Sequence, residues 1–271
     1  MAASAPGATG GLKRAGGPAL AAMLAACVHS PVQVADRPRE RAPVVLPSVG
    51  DAAHSVSAAV SGFDPKQIGK GDIDRVADLH RREVFAGVRV LAEKLYRRNP
   101  REWKKAGHAS MEEALDHLLD PRNAWRVPGA ESRRGTEVIL LALREDYPGD
   151  RVAAFIAGLG DMLNLAFDEK LEFFLLDDLD PQKLYNSARN IEIAVWKLSN
   201  ARDAEGRLLL LSNEIPVPPE AANLSFEREF GKMIGNLDLL ARMIADKGNR
   251  AIARVVQNVA TAMFLPVTGL R

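Results

Sequence analysis

The sequence predicts an all-α protein: a single compact bundle of about eight helices over residues 71–271, following a disordered, proline-rich linker. Three observations predict it. Apolar residues recur at three-and-four spacing from Asp72 onward, and residues suited to helix ends punctuate the recurrences. No run alternates apolar and polar residues long enough to build a sheet. No segment repeats at a fixed period, so one bundle is expected rather than a repeat array.

The elements follow in order. Ile73, Val76, Ala77, Val84, Val88, Leu91 and Leu95 lie on one face of a first helix, which ends at Asn99. Asn99 is a capping residue and Pro100 suits a first turn, so a short helix is expected over 100–106. Ser110 followed by Glu113 is a capping-box pattern opening a helix to Leu119, closed by Asp120 and Pro121. Arg122 to Gly135 reads as loop.

Val138 to Leu143 forms the next helical run. Val152 to Phe167 forms another beyond the Pro148, Gly149, Asp150 break. The second is apolar nearly all round and too short to span a membrane, so it is expected at the centre of the core. Its Gly158 and Gly160 leave places for close approach by another element. Leu171 to Leu176 reads as a short helix. Asp180 and Pro181 open a helix over 181–200, with Leu184, Ala188, Ile191, Val195 and Leu198 inward. Arg207 to Leu211 is too short for a helix and reads as extended. Phe226, Phe230, Met233, Leu237, Leu240 and Ile244 define a helix to Gly248. Asn249 restarts the pattern, and Ile252, Val255, Val256, Val259 and Met263 predict a last helix before Pro266, pairing with its predecessor as an αα-hairpin.

The chain has 271 residues, 47% hydrophobic and 26% charged, ample for a folded core. With 36 basic and 35 acidic side chains its formal charge is +1, which gives no strong electrostatic case for a nucleic-acid partner or an anionic bilayer face. One cysteine, Cys27, excludes an intramolecular disulfide framework and a cysteine-rich zinc site.

The position of that cysteine is informative. Lys13 and Arg14 precede an uncharged stretch, Ala15 to Ala26, that ends Leu24, Ala25, Ala26, Cys27. The order basic, apolar, small is that of a secretory signal peptide. The tetrapeptide resembles the lipobox of bacterial lipoproteins. The resemblance implies a diacylglyceryl group on the Cys27 thiol, cleavage between Ala26 and Cys27, and acylation of the new amine, with palmitate as a representative chain. Two or three acyl chains on one residue would anchor the protein stably. Val28, where an aspartate would favour inner-membrane retention, implies the outer membrane, with the domain facing the periplasm. The expected organisation is a signal peptide over 1–26, a lipid-anchored linker over 27–70 and a helical domain over 71–271. Pro31, Pro38, Pro43 and Pro47 keep the linker extended, with an average reach of roughly 35 Å. Lys13 and Arg14 leave with the leader and no acidic residue does, so the mature chain stays nearly neutral. The anchor, not charge, would hold it at the membrane.

The chain carries no Gly-x-Ser-x-Gly, P-loop, dinucleotide fingerprint or His-Glu-x-x-His zinc helix, so no catalytic residue is assigned, and no metal or cofactor is expected. Glu113 and His117 are four apart on one helical face, beside Glu112, Asp116 and His108, and form the nearest thing to a ligand pair. A solvated face is the simpler expectation for them, and for His80 with Glu83. Asp161 and Asn164 stand three apart on the apolar helix. They are expected as its thin outward stripe, or paired with an arginine such as Arg189. Asp177, Asp178 and Asp180 lack the ligand spacing of a calcium loop and are expected to cap the following helix. The arginines at 81, 82, 97, 98, 101, 133 and 134 interleave with acids and are expected in ordinary ion pairs. These features point to a lipid-anchored envelope protein whose helical domain binds or scaffolds an unknown envelope partner. The alternative is a helical metal-dependent enzyme or hydrolase of the periplasm, with Glu113 and His117 as its residues.

Overall fold

The computed structural model describes residues 70–174, 177–213 and 223–269. The leader, Cys27 and the linker as far as residue 69 lie outside them. Among the described residues seven α-helices form: α1 (Asp72–Arg98), α2 (Pro100–Lys105), α3 (Met111–Leu119), α4 (Thr136–Ala142), α5 (Arg151–Ala166), α6 (Pro181–Asn200) and α7 (Ser225–Lys247). A single-turn 3₁₀ helix, Pro121–Asn123, follows α3. The described chain has no sheet, only an isolated antiparallel bridge between Arg202 and Leu208 beside the extended run that the sequence predicts there.

Several helices begin where short polar side chains satisfy first-turn N–H groups, which have no partner inside the helix. The Asp74 carboxylate accepts the Gly71 N–H at 2.8 Å. Ser110 Oγ accepts from Glu113 N at 3.1 Å, while Glu113 Oε2 reaches back one residue further than a capping box, to Ala109 N at 2.7 Å. Asp150 takes Ala153 N and Asp180 takes Gln182 N, each at 2.8 Å.

Helix α5 is the centre, as its all-round apolarity predicts. All of it is buried except Ala153, Asn164 and Leu165, and α1, α2, α4 and α6 pack against it. Helix α7 lies along α1 and α6. The α1 stripe Val84, Val88, Leu91 and Leu95 has no exposed surface, each side chain contributing roughly 1.5–3 kcal/mol by burial. The two α5 glycines admit different neighbours. Gly158 lies against the first turn of α4, and Gly160 lies under the Trp125 ring. Arg151, buried at the start of α5, donates to the carbonyls of Ala142, Arg144 and Glu145. One guanidinium thus satisfies the open C-terminal end of α4 and ties it to α5. No described helix is long and apolar enough to cross a membrane.

The structure corrects four expectations. Residues 171–174 are not helical. Ala166 ends α5, Asp168 and Glu169 take left-handed backbone (φ 53° and 59°), and Asp78 and Asp177 carboxylates bind the N–H groups of Phe173 and Phe174 at 2.9 and 2.8 Å. Asn99 stands at the N-cap position of α2, but its side chain does not cap the helix. Its buried amide pairs with both backbone groups of Leu211, at 2.9 Å to the carbonyl and 2.8 Å from the N–H. Asp161 is buried rather than outward, and its arginine is Arg134, not Arg189, which pairs with Asp238 and Glu192.

The fourth correction is the largest. No helix forms over 250–265, so there is no C-terminal αα-hairpin. Asn249 turns the chain in left-handed conformation (φ 47°), and the segment runs as a strap over α6. Gln182 holds Ala253 by both backbone groups, at 2.8 Å from the N–H and 3.1 Å to the carbonyl. Asn190 holds Leu265 in the same way, at 2.6 and 2.9 Å, and Asn186 donates to the Pro266 carbonyl at 2.7 Å. These amides stand four residues apart on one face of α6, so they present to the strap what a neighbouring strand would.

Candidate functional site

The C-terminal end of α1, α2, α3 and the N-terminus of α5 surround a cleft of about 480 Å³, lined among others by Tyr96, Lys105, His108, His117, Arg126, Tyr147 and Asp150. The elements place these groups for local reasons. Tyr96 and Asp150 lie at helix ends that meet because Val88, Leu91, Leu95 and the apolar side of α5 pack together. The loop after α3 brings Arg126, Val127 and Pro128 across the opening, fixed by the Tyr147 hydroxyl donating to the Pro128 carbonyl at 3.2 Å.

The floor is a buried polar network. Tyr96 Oη donates to Asp150 Oδ2 at 2.9 Å, while Asp150 Oδ1 accepts the Ala153 N–H. Burial pushes the Asp150 carboxyl above its ordinary range, against the two hydrogen bonds that favour its ionised form. No cation lies within ion-pair distance of it among the described residues. Burial, reinforced by the Asp150 charge, pushes the Tyr96 hydroxyl well up, so it stays a proton donor. Behind them Glu102, 1% exposed, accepts the Arg151 N–H at 2.9 Å and the Lys105 ammonium at 2.6 Å. Lys105 also donates to the Gly149 carbonyl at 3.0 Å, so its charge is already engaged.

The wall carries His108 and His117, ring centroids 5.4 Å apart. Glu113 stands outside the cleft and exposed, its carboxylate 3.9 Å from His108 Nδ1 and bonded to the Ala109 N–H. The structure thus sets His108 beside both His117 and Glu113. Among the described residues no group of three or more His, Cys, Asp or Glu side chains is placed to hold a metal ion. Chemically, the cleft offers two phenol rings, two imidazoles, a buried carboxylate and the Arg126 cation, but no serine, threonine or cysteine in its lining. Both tyrosines and Asp150 are buried, so the polar groups of this cleft with exposed side chains are Lys105, His117 and Arg126.

Asp161 and Asn164 do not join the cleft. Asp161 accepts a two-pronged contact from Arg134, Oδ1 at 2.6 Å and Oδ2 at 3.1 Å, and its Oδ2 also takes the Gly135 N–H at 2.8 Å. Arg134 continues to Glu169 at 2.7 Å. This is a clamp that fixes the loop before α4 to α5. Asn164 is half-buried, and its backbone carbonyl accepts the Glu169 N–H. The three aspartates disperse: Asp177 to Lys170, Asp178 to Arg250, and Asp180 to the cap of α6. His80 pairs with Asn236 at 2.7 Å.

The residues the sequence did not mark are Tyr96, Glu102, Lys105 and Asp150. Asp150 carried a signal, since an aspartate before an apolar helical run is an N-cap. Its sharing of a network with Tyr96, 54 positions earlier, carried none. Comparison of the chain with family models, curated proteins and solved structures returns no match.

Proposed function

We propose that the chain is a lipid-anchored protein of the bacterial envelope, attached to the outer membrane through Cys27 and facing the periplasm, whose helical domain is a binding module. The observation that carries the anchor is the sequence Leu24-Ala25-Ala26-Cys27 behind Lys13 and Arg14. The binding role is supported by the cleft. Its lining is mostly apolar or aromatic, and at its floor Tyr96 pairs with one buried carboxylate, Asp150. Radiolabelled palmitate fed to cells producing the chain is expected to label it, and Cys27→Ser is expected to lose both the label and the membrane fraction. A chain that stays in the membrane fraction without label overturns the anchor.

A further inference from the structure

The strap over α6 has a sequence written for a different conformation. At about 100° per residue, Ile252, Val255, Val256, Val259 and Met263 fall within an arc of about 100°, and Arg250, Arg254, Gln257, Asn258 and Thr261 fall on the opposite side. Of the large apolar side chains from 250 to 264 only Phe264 falls on the polar side, and such a division has no use in extended chain, where the helical period means nothing. The structure wastes it accordingly. Val256 is 99% exposed, Met263 80% and Val255 40%. The segment is held by the α6 amides on Ala253, Leu265 and Pro266, by Arg250 on Asp178 and the Leu179 carbonyl, and by three apolar side chains, Ala262 buried and Ile252 and Phe264 half-buried against the core. The Gln182 amide occupies both backbone groups of Ala253, which a helix would satisfy internally, so at Ala253 the strap and the helix compete for the same donor and acceptor. A segment with few buried apolar contacts lies at the low end of local stability.

We propose that residues 250–264 leave α6 and fold as an amphipathic helix on an anionic lipid surface. Pro266 sets the end of that helix, since the residue before a proline is turned away from helical backbone. Charge selects the partner. From Asn249 to Arg271 there is no aspartate or glutamate, while Arg250, Arg254 and Arg271 are cationic. An apolar face opposite a basic one lies in the headgroup boundary of anionic bilayers. The contact is independent of acylation at Cys27 and would add a second attachment to an anchored chain.

The test uses the full chain carrying Cys27→Ser, mixed with vesicles of phosphatidylglycerol or of phosphatidylcholine. The parent is expected to partition at least tenfold more strongly to phosphatidylglycerol and to gain helical circular dichroism as it does. Val256→Asp with Met263→Asp, at side chains too exposed for the fold to need them, is expected to lower that partition at least tenfold and abolish the helical gain. Comparing the two chains cancels whatever residues 1–69 contribute. Gln182→Ala with Asn190→Ala, which loosens the strap, is expected to raise the partition severalfold. Equal binding by the parent and the aspartate variant overturns the proposal. So does binding without helical gain, or equal binding to the two lipids.

Discussion

Substituting alanine for glycine has opposite signs at two places in this fold. At Gly158, a Cβ would stand 2.6 Å from the Ile139 nitrogen, 2.8 Å from the Gly135 carbonyl oxygen and 2.9 Å from Ile139 Cγ1. Two of these atoms are backbone and cannot rotate away. Ordinary contact needs about 3.5 Å, so α4 must retreat by about 1 Å from the centre of the core. With two of the clashing atoms in the backbone, the cost falls in the upper part of the overpacking range, about 2–3 kcal/mol, against which alanine's better helix propensity returns about 1 kcal/mol. Gly158→Ala is therefore expected to destabilise by roughly 1–2 kcal/mol. Gly231 and Gly235 lie on the exposed face of α7 with nothing within 4 Å of an added Cβ. There only propensity acts, and the double alanine variant is expected to gain about 2 kcal/mol. At roughly 2–4 °C per kcal/mol for a domain of this size, scanning calorimetry should show Tm falling by about 2–8 °C in the first case and rising by about 4–8 °C in the second. A Gly158→Ala chain as stable as the parent, or a loss in the α7 pair, refutes the packing argument.

Two further outcomes are expected. Asp161→Ala leaves the buried Gly135 N–H without its acceptor, a loss of about 1–3 kcal/mol, whereas Asp161→Asn keeps an acceptor there and should lose about half as much. Equal losses in urea denaturation would show that the Gly135 contact contributes nothing. Asp150→Asn keeps an oxygen acceptor for the Ala153 N–H, turns an NH2 donor toward the Tyr96 hydroxyl, whose oxygen can accept it, and removes the charge. Because burial raises the Asp150 carboxyl in the folded state, its contribution to stability is fully present below the unfolded carboxylate range and is lost as pH rises through its folded value. The asparagine chain should therefore gain Tm relative to the parent on going from pH 4 to pH 7.5. An advantage that shrinks over that interval refutes the assignment.

Most of the helices were legible because their signals are local. A three-and-four apolar stripe bounded by Ser110, by Asp150 or by Asp180 with Pro181 contains its own instructions, and the all-round apolarity of Val152 to Phe167 predicts the burial of α5. The failures share one physical cause: a polar side chain far away in sequence claimed the backbone. Phe173 was taken by Asp78, 95 positions earlier, and Leu211 by Asn99, 112 positions earlier. Leu265 was taken by Asn190. The 250–265 pattern is strongly helical, yet Gln182 and Asn190 override it with contacts that leave no trace in periodicity. At the cleft, His117 was visible as a residue, but its ring neighbour His108 lies before the helix start, where periodicity gives no signal. Asp161 was visible as a polar interruption, and only the fold could choose Arg134 over Arg189.

Trp125 gives the cleft a property that its lining alone does not. Ala124 and Trp125 are consecutive residues in left-handed conformation, with φ of 45° and 61°, a backbone that side chains of their kind resist. What keeps them there is the indole, seated on Gly160 and stacked on Phe85 with centroids 5.9 Å apart. The wall formed by Arg126, Val127 and Pro128 is thus a spring held shut by one aromatic latch. Because an indole reports its surroundings by fluorescence, any change in the seating of Trp125 on Gly160 and Phe85 would register as a change in the protein's own emission.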